Sequence, residues 1–442
     1  MLPSRLHLDL ETFAESRDTS ESQAGRVVDG VDLVKDGVCN YAKHLATGVY
    51  MAGIKWTGMP KALVAIFWEI REGPAGKYPR RKTEAELFAQ YPFLPIFLRA
   101  LATGAIVVAH NAAFERWVWN EIVVGRYYPN WPKIQLERQD CTMARANAMS
   151  LPAGLGNLAR VLRLKHQKHD SVLMKLMAKS SPWHIAVVTN ETLAELATYC
   201  AGDVECEAEA DEVLYKLTPF QQELWRLDQE INDRGIPVNV PAIRKALKIV
   251  EVSKDLANAR LKELTGGAVK TAQQAGAMLA WLQAQGHATL FSVSAFALKT
   301  YEEDYGWGSP LIEEALELRE CASRASVAKL QAILDLLRLS PDGRVRHQYV
   351  LWGAGPGRWT GRGFQPQNIK RFDDDTQPLA DVLMAELGNP ELDAMLESQD
   401  PATRWALSKR AAVRIQDATG QNPIIVIGKC MRVFIKAPGL EG

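Results

Sequence analysis

The stretch from Leu6 to Thr12, L-H-L-D-L-E-T, constrains the fold of this chain more than any other. Leu6, Leu8 and Leu10 alternate with His7, Asp9 and Glu11, the period of two that marks a β-strand. The leucines therefore share one face and the two carboxylates the other, roughly 7 Å apart along the strand. Like charges about 5 Å apart repel by roughly 3 kcal/mol at an effective dielectric near 20. Such a face needs a cation, a shared proton or solvent to be tolerated. A divalent metal is the functional answer and a wetted amphipathic strand the plain one, and these seven residues leave both open.

Composition narrows the field from outside. The 52 basic residues balance the 52 acidic ones, so net charge gives no warrant for nucleic-acid binding, and any warrant must be local. With 442 residues, 47% of them apolar, the chain can bury a large core spread over two to four domains. Its six cysteines form no C-x-x-C pair and no Cys/His set at zinc spacing, so they read as reduced thiols in a cytoplasmic setting. No apolar run approaches the roughly 18 residues of a membrane span, and no signal-peptide core precedes the acidic strand. The expectation is a cytoplasmic protein with no membrane partner.

Further along, residues 14–23 read as a polar loop, followed by a short element in V-D-L-V-K-D-G-V. Val49–Trp56 and Ala62–Trp68, joined by a G-M-P turn, read as strands that build an antiparallel meander on the first. Glu84–Leu101 has helical spacing, and Ala105–Ala109 is a fully apolar run of the kind buried in a sheet. After it stands H-N-A-A-F-E-R, where Asn111 is placed to cap a helix and Glu115 follows on the same face. Taken alone, that heptapeptide reads as a cap with a surface glutamate. Thr189–Lys216 is a helix with a T-N-E-T cap region and an apolar stripe that includes Cys200 and Val204. On its other face Tyr199 and Asp203, four apart, project side by side about 6 Å along the axis.

These three pieces, in this order, resemble the motifs of the DEDD nuclease superfamily, in the subgroup that carries a tyrosine in its last motif. The resemblance implies an α/β fold in which residues 1–217 form an RNase H-like 3′-to-5′ exonuclease domain. It implies that Asp9, Glu11, Glu115 and Asp203 hold two Mg2+ or Mn2+ ions, with Asp9 bridging them, and that Tyr199 orients the attacking water. Asn111 and Phe114 would contact the DNA strand. Two such ions supply what in-line phosphodiester hydrolysis needs, and carboxylates are the hard ligands they prefer. Glu115 departs from the pattern, which usually has aspartate there, and its extra methylene moves the carboxylate by about 1.5 Å. Q-D-C-T-M-A-R-A, with Asp140, and L-P-A-G-L-G-N-L-A, with Leu158, resemble the connecting segment of phage-type members. His166, His169 and Asp170 lie among lysines and read as a solvated loop.

From Phe220 the pattern turns helical, with Gly235 ending a helix before an extended segment at Pro237. Glu313–Leu339 reads as the clearest helix, and its Arg319, Arg324 and Lys329 are ordinary surface charge or a nucleic-acid face. The segment from Gly343 to Arg371 contains no acid and interleaves arginines, glycines and amides with Trp352, Trp359 and Phe364, which suits phosphate and minor-groove contacts. It is similar to the T-G-R…Q-N motif that opens the palm of family A DNA polymerases. Arg358, Arg362, Gln367 and Asn368 match DNA-contacting positions, while Pro356 and Lys370 depart from the pattern. The implied order is the exonuclease domain, a helical thumb-like region at 218–345 and an incomplete palm at 346–442. The D-Y-S-x-x-E and later H-D motifs of nucleotide addition do not follow.

The expectation is a metal-dependent DNA exonuclease within a truncated polymerase, taking single-stranded 3′ ends and primer-template as partners. A second polymerase fragment would supply the fingers and the rest of the palm. The alternatives are a nuclease-inactive DNA-binding scaffold that complements such a fragment, and an exoribonuclease of the RNase D kind. A truncated palm is also expected to expose strand edge and apolar surface around Ile424–Val433.

Overall fold

A computed structural model describes residues 2–14, 31–168, 171–323 and 327–436. Most of the polar segment 14–23, together with His169, Asp170, Arg324 and the last six residues, lies outside them. The chain forms two compact units: residues 1–236 with 335–367, and residues 237–334 with 368–442.

The first unit is built on a five-stranded mixed sheet with β1 (Arg5–Ala14) at its centre. The order is β3 (Leu63–Ile66), β2 (Thr47–Trp56), β1, β6 (Ile106–Ala109), β7 (Gln139–Cys141). β1 and β2, and β2 and β3, are antiparallel, whereas β1 and β6, and β6 and β7, are parallel. The antiparallel meander expected from the sequence is therefore present, and the apolar run at 105–109 is an interior strand. Leu6, Leu8 and Leu10 are at most 4% exposed, and burying each contributes roughly 1.5–3 kcal/mol. Their face packs on Phe97, Trp119 and Ile122 in one continuous core. A separate hairpin, β4 (Trp68–Gly73) and β5 (Gly76–Arg81), has no counterpart in the sequence reading.

Helices flank the sheet. α1 (Leu33–Lys43) kinks at Gly37, whose φ is +79°. The helical stretch read at 84–101 divides into α2 (Glu84–Gln90) and α3 (Phe93–Ala102). Pro92 stands between them, where it cannot continue the first helix. α4 (Ala112–Val118) leaves β6 directly and runs into a wide helical turn at Trp119–Tyr127. α5 (Thr142–Ala148), α6 (Leu155–Leu162), which buries Leu158, and α7 (Val172–Met177) lead to α8 (Asn190–Val213). α8 opens with a capping box between Thr189 and Thr192, as the T-N-E-T signal predicts. α9 (Pro219–Arg234) ends at Gly235.

The second unit is helical. α10 (Val240–Leu264), α11 (Ala275–Ala284), α12 (Ala295–Tyr305), α13 (Pro310–Ser323) and α14 (Ala328–Leu337) come first, and the last three residues of α14 fall in the first unit. The stretch read as one helix at 313–339 is thus described as two. α15 (Gln377–Leu387), α16 (Pro390–Glu397), α17 (Pro401–Thr419) and α18 (Pro423–Lys429) follow. Ile424–Val433 corrects the expectation of an exposed strand edge. It forms α18 and a short 3-10 turn, and Ile424, Val426, Ile427 and Phe434 are fully buried. Asn422 caps the helix with Pro423 in its first turn, and packing against α10, α15 and α17 overrides the β-rich composition. Among the described residues no helix is long and apolar enough to cross a membrane.

Candidate metal centre

Arg5, His7, Asp9 and Glu11 are the alternate residues of β1 that do not join the leucine face, and the side chains of α8 meet them. A step of two residues on a strand advances about 6.7 Å and a step of four on a helix about 6 Å, so the two stripes stay in register over several rungs. The α8 stripe is Tyr199, Asp203, Glu207 and Asp211. Arg5 Nε donates to Asp211 at 2.8 Å, His7 Nδ1 lies 2.7 Å from Glu207 Oε2, and the Cys200 thiol donates to Asp9 Oδ2 at 3.7 Å. The acidic face of β1 therefore packs beside a helix, with Asp9 and Glu11 half-buried. Gly53, opposite Asp9 on β2, permits this approach: a Cβ there would come within 2.7 Å of Cys200 Sγ and 2.8 Å of Val204. Just past Glu11 the register of β1 and β2 shifts by a bulge, a feature that re-aims side chains beside sites.

Electrostatics mark the cluster. Burial raises the Asp9 carboxyl, and Lys168 partly offsets it. Burial and then the charge of Asp9 push Glu11 up to about 8. Glu115 opens α4 beside β1. It is 5% exposed and is held well above the usual carboxylate range, first by burial and then by Asp9 and Glu11. The plain reading of Glu115 as a surface residue is thereby overturned. The Leu10 backbone donates to this carboxylate, yet its Oε2 has no hydrogen-bond partner among the described residues. A buried acceptor without a partner, beside two other acids, is costly to keep and calls for a proton, an ion or water.

Lys168 supplies the positive charge. Its ammonium pairs with Asp203 and lies 4.9 Å from the centre of the Tyr199 ring. Desolvation pulls it down, but Tyr199, Asp9 and Glu11 together hold it above its ordinary value. The ligand atoms of Asp9, Glu11 and Cys200 all lie within 4.8 Å of one another. The two carboxylates are hard oxygen donors of the kind Mg2+ or Mn2+ takes, and the thiol is a soft one.

Asp9, Glu11, Tyr199 and Asp203 gather around Lys168, and Glu115 lies in the field of Asp9 and Glu11; their expected roles at a metal site remain a proposal. The sequence reading missed Lys168, His7 and Glu207, and counted Cys200 only as apolar stripe. The signal for Glu207 was its place four residues beyond Asp203, and for His7 its place in the β1 alternation. Lys168 carried no signal. Asn111 precedes α4 but makes no side-chain cap, so the capping expectation fails; its carbonyl instead accepts from the Phe114 and Glu115 amides. Phe114 is half-buried, tilted against Tyr41 at 6.1 Å. His166 is taken by Glu209 at 2.6 Å.

The acid-free segment folds partly within the first unit. Tyr349–Val350 pairs with Thr360–Gly361, Arg358 is exposed, and Gln367 packs so closely on Gly361 that a Cβ there would lie 2.3 Å away. Pro366–Asn368 forms a 3-10 turn, and the Arg362 amide donates to the Gln348 carbonyl at 2.9 Å. Trp359 Nε1 donates to Asp228 on α9 at 2.7 Å. Burial pushes Asp228 up to about 6, against the pull of Trp359, Gln229 and Asn232. Its unfolded value is about 3.9. The stability it contributes is therefore present below pH about 4 and is lost as pH rises to about 6. The fluorescence contributed by Trp359, taken as wild type minus Trp359→Phe, is expected to titrate near pH 6. A pH-independent difference would contradict this.

Among known proteins, the class this chain is similar to is the DNA polymerases. The particular relative is the DNA polymerase of Bacillus phage SP02, 28% identical over 381 residues, which cover 82% of this chain and 51% of the relative. That likeness supports a family A DNA polymerase-like N-terminal region, and the chain spans about half the length of the curated relative it matches. No protein-family model matches. Among solved structures, the POL domain of Pol1 from M. smegmatis, in complex with DNA primer-template and dNTP, aligns over 97% of this chain and 74% of that one, at 13% identity. Its TM-score is 0.43, at which no argument follows.

Proposed function

We propose that this chain is a divalent-cation-dependent 3′-to-5′ exonuclease acting on DNA, the proofreading portion of a family A DNA polymerase, with an RNase H-like nuclease domain. The observation that carries the reading is that Lys168 pairs with Asp203 on α8 and offsets the charges of Asp9 and Glu11 on β1, with the buried, unpartnered Oε2 of Glu115 in the field of the same two acids. Bound divalent cations would neutralise the phosphodiester and ease deprotonation of the attacking water. The chain's own residues do the rest. Asp9 and Glu11 would hold the cations from the strand, and Asp203 and Glu115 from two helices. Tyr199, whose hydroxyl is raised by burial, stays protonated and orients water as a donor. Arg358, Arg362, Gln367 and Asn368 would grip the DNA backbone and base edges. Domain limits near 217 and 345 belong to the same proposal. With no D-Y-S-x-x-E motif in the sequence, this chain alone is expected to add no nucleotides.

Comparing single-stranded DNA with RNA of the same sequence tests the substrate class. Faster shortening of RNA would support an exoribonuclease instead.

Lys168 offers a test of the cation site itself. Without added metal, Lys168→Ala removes the one ammonium paired with buried Asp203 and is expected to destabilise the fold by about 1–3 kcal/mol. Mg2+ or Mn2+ should then raise the melting temperature of the variant more than that of wild type, because a cation bound only by the folded state stabilises it. Equal shifts in both would count against the site.

A further inference from the structure

We propose that Cys200 is a third ligand of this centre, giving the Asp9–Glu11 pair a sulfur donor and making it a binding site for a thiophilic divalent cation of the Zn2+, Cd2+ and Co2+ class. The proposal rests on the reading that Asp9 and Glu11 hold a cation.

Three observations carry it. First, the ligand atoms of Asp9, Glu11 and Cys200 already lie within 4.8 Å of one another. Second, Cys200 Sγ is 3.7 Å from Asp9 Oδ2. A tetrahedral ion with sulfur at roughly 2.3 Å and oxygen at roughly 2.0 Å sets those two atoms about 3.5 Å apart, so the pair stands close to chelating distance. The sulfur is also fixed there: Cys200 is fully buried, and Gly53 leaves no room behind it, since a Cβ would come within 2.7 Å. Third, Glu115 holds a buried Oε2 without a hydrogen-bond partner among the described residues, and the charges of Asp9 and Glu11 act on it.

The donor chemistry sets the selectivity. Mg2+ takes oxygen ligands, whereas a thiolate favours softer ions. As the sulfur–metal bond forms, the S–H bond that now points to Asp9 breaks and its proton leaves to solvent, with no change of oxidation state. The five other cysteines are not in the cluster, so a sulfur signal from this site is assignable by one substitution.

The test uses the full chain and Cd2+ as probe. Ultraviolet titration is expected to show a thiolate-to-Cd2+ charge-transfer band of one-sulfur intensity, saturating with the heat of binding in parallel calorimetry. The band should vanish in Cys200→Ser and Cys200→Ala and weaken in Asp9→Ala. Asp9-dependent heat without a band, or a band that persists in Cys200→Ser, would overturn the role of Cys200 while leaving the cation site standing. Absence of any Asp9-dependent binding of Cd2+, Mg2+ or Mn2+ would overturn both. If the cysteine variants do not fold, the visible spectrum of Co2+ bound to wild type reads the ligands directly: a sulfur-to-cobalt band supports the proposal, and an all-oxygen spectrum overturns it.

Discussion

Asp9→Ala is expected to lower the rate of 3′-end removal from DNA by about 10³-fold or more, the scale of losing a central electrostatic element of a hydrolytic site. The same substitution should leave the fold as stable as before, or more so. Asp9 is half-buried in the field of Glu207, it acts in turn on Glu11 and Glu115, and its carboxyl is raised, chiefly by desolvation. Removing it relieves repulsion in the metal-free protein. A merely structural residue would lose stability and activity together. Single-turnover kinetics with thermal unfolding of the same samples separate the two. Unchanged rates in Asp9→Ala would remove the acid from the mechanism.

Arg145→Met carries the largest expected effect on stability, about 3–5 kcal/mol, the cost of breaking a buried charge pair from one side. The Arg145 side chain is wholly buried at the end of α8. It pairs with Asp211 and donates to the carbonyls of Asp211 and Tyr215 at 2.9 Å each, as well as to that of Leu214. Methionine has no donor to replace these bonds, so the carbonyls of Leu214 and Tyr215 would lose theirs, while Asp211 keeps Arg5 and Lys216. Asp211 is desolvated, yet Arg5, Lys216 and Arg145 hold it well below the usual carboxylate range. A lowered native value means the stabilisation is present above pH about 4 and is lost as pH falls below it. Urea unfolding should show this loss below pH about 4 in wild type, and a shallower one in Arg145→Met. Coincident curves would contradict the assignment. The network also anchors the rung below the acids, because Arg5 joins Asp211 to Asp140 at 2.6 Å.

Much of the site was legible because its parts are periodic. The two-residue alternation of β1 and the four-residue spacing of Tyr199 and Asp203 each fix a face, and faces survive translation into three dimensions. What failed was everything set by loops and by depth. Lys168 lies 35 residues before Asp203 in a polar turn, and no local pattern says where that turn returns. Glu115 looked like a surface acid because a single glutamate carries no sign of what will cover it; the helix that bears it leaves the interior strand β6 and packs on β1. The hairpin of Trp68–Gly73 and Gly76–Arg81 went unread because its charged, half-exposed strands lack the apolar alternation that a core imposes. At Ile424–Val433 composition pointed to a strand, while the capping Asn422 and the following proline were the better guide.

The same logic locates the chemistry. Carboxylates crowded on one strand and one helix are costly to keep, and the structure offsets that cost with the ammonium of Lys168 and the Cys200 thiol, which donates to Asp9. An arrangement of this kind gains stability whenever a divalent cation enters, which ties folding to the proposed catalysis.

The central claim is tested most directly by incubating the wild-type chain and Asp203→Ala with 5′-labelled single-stranded DNA in Mg2+ or Mn2+ and resolving the products by length. Wild type is expected to give a ladder that shortens one nucleotide at a time from the 3′ end, abolished by chelator and absent in Asp203→Ala. Intact DNA with wild type in both metals, or the same ladder from Asp203→Ala, would contradict the claim.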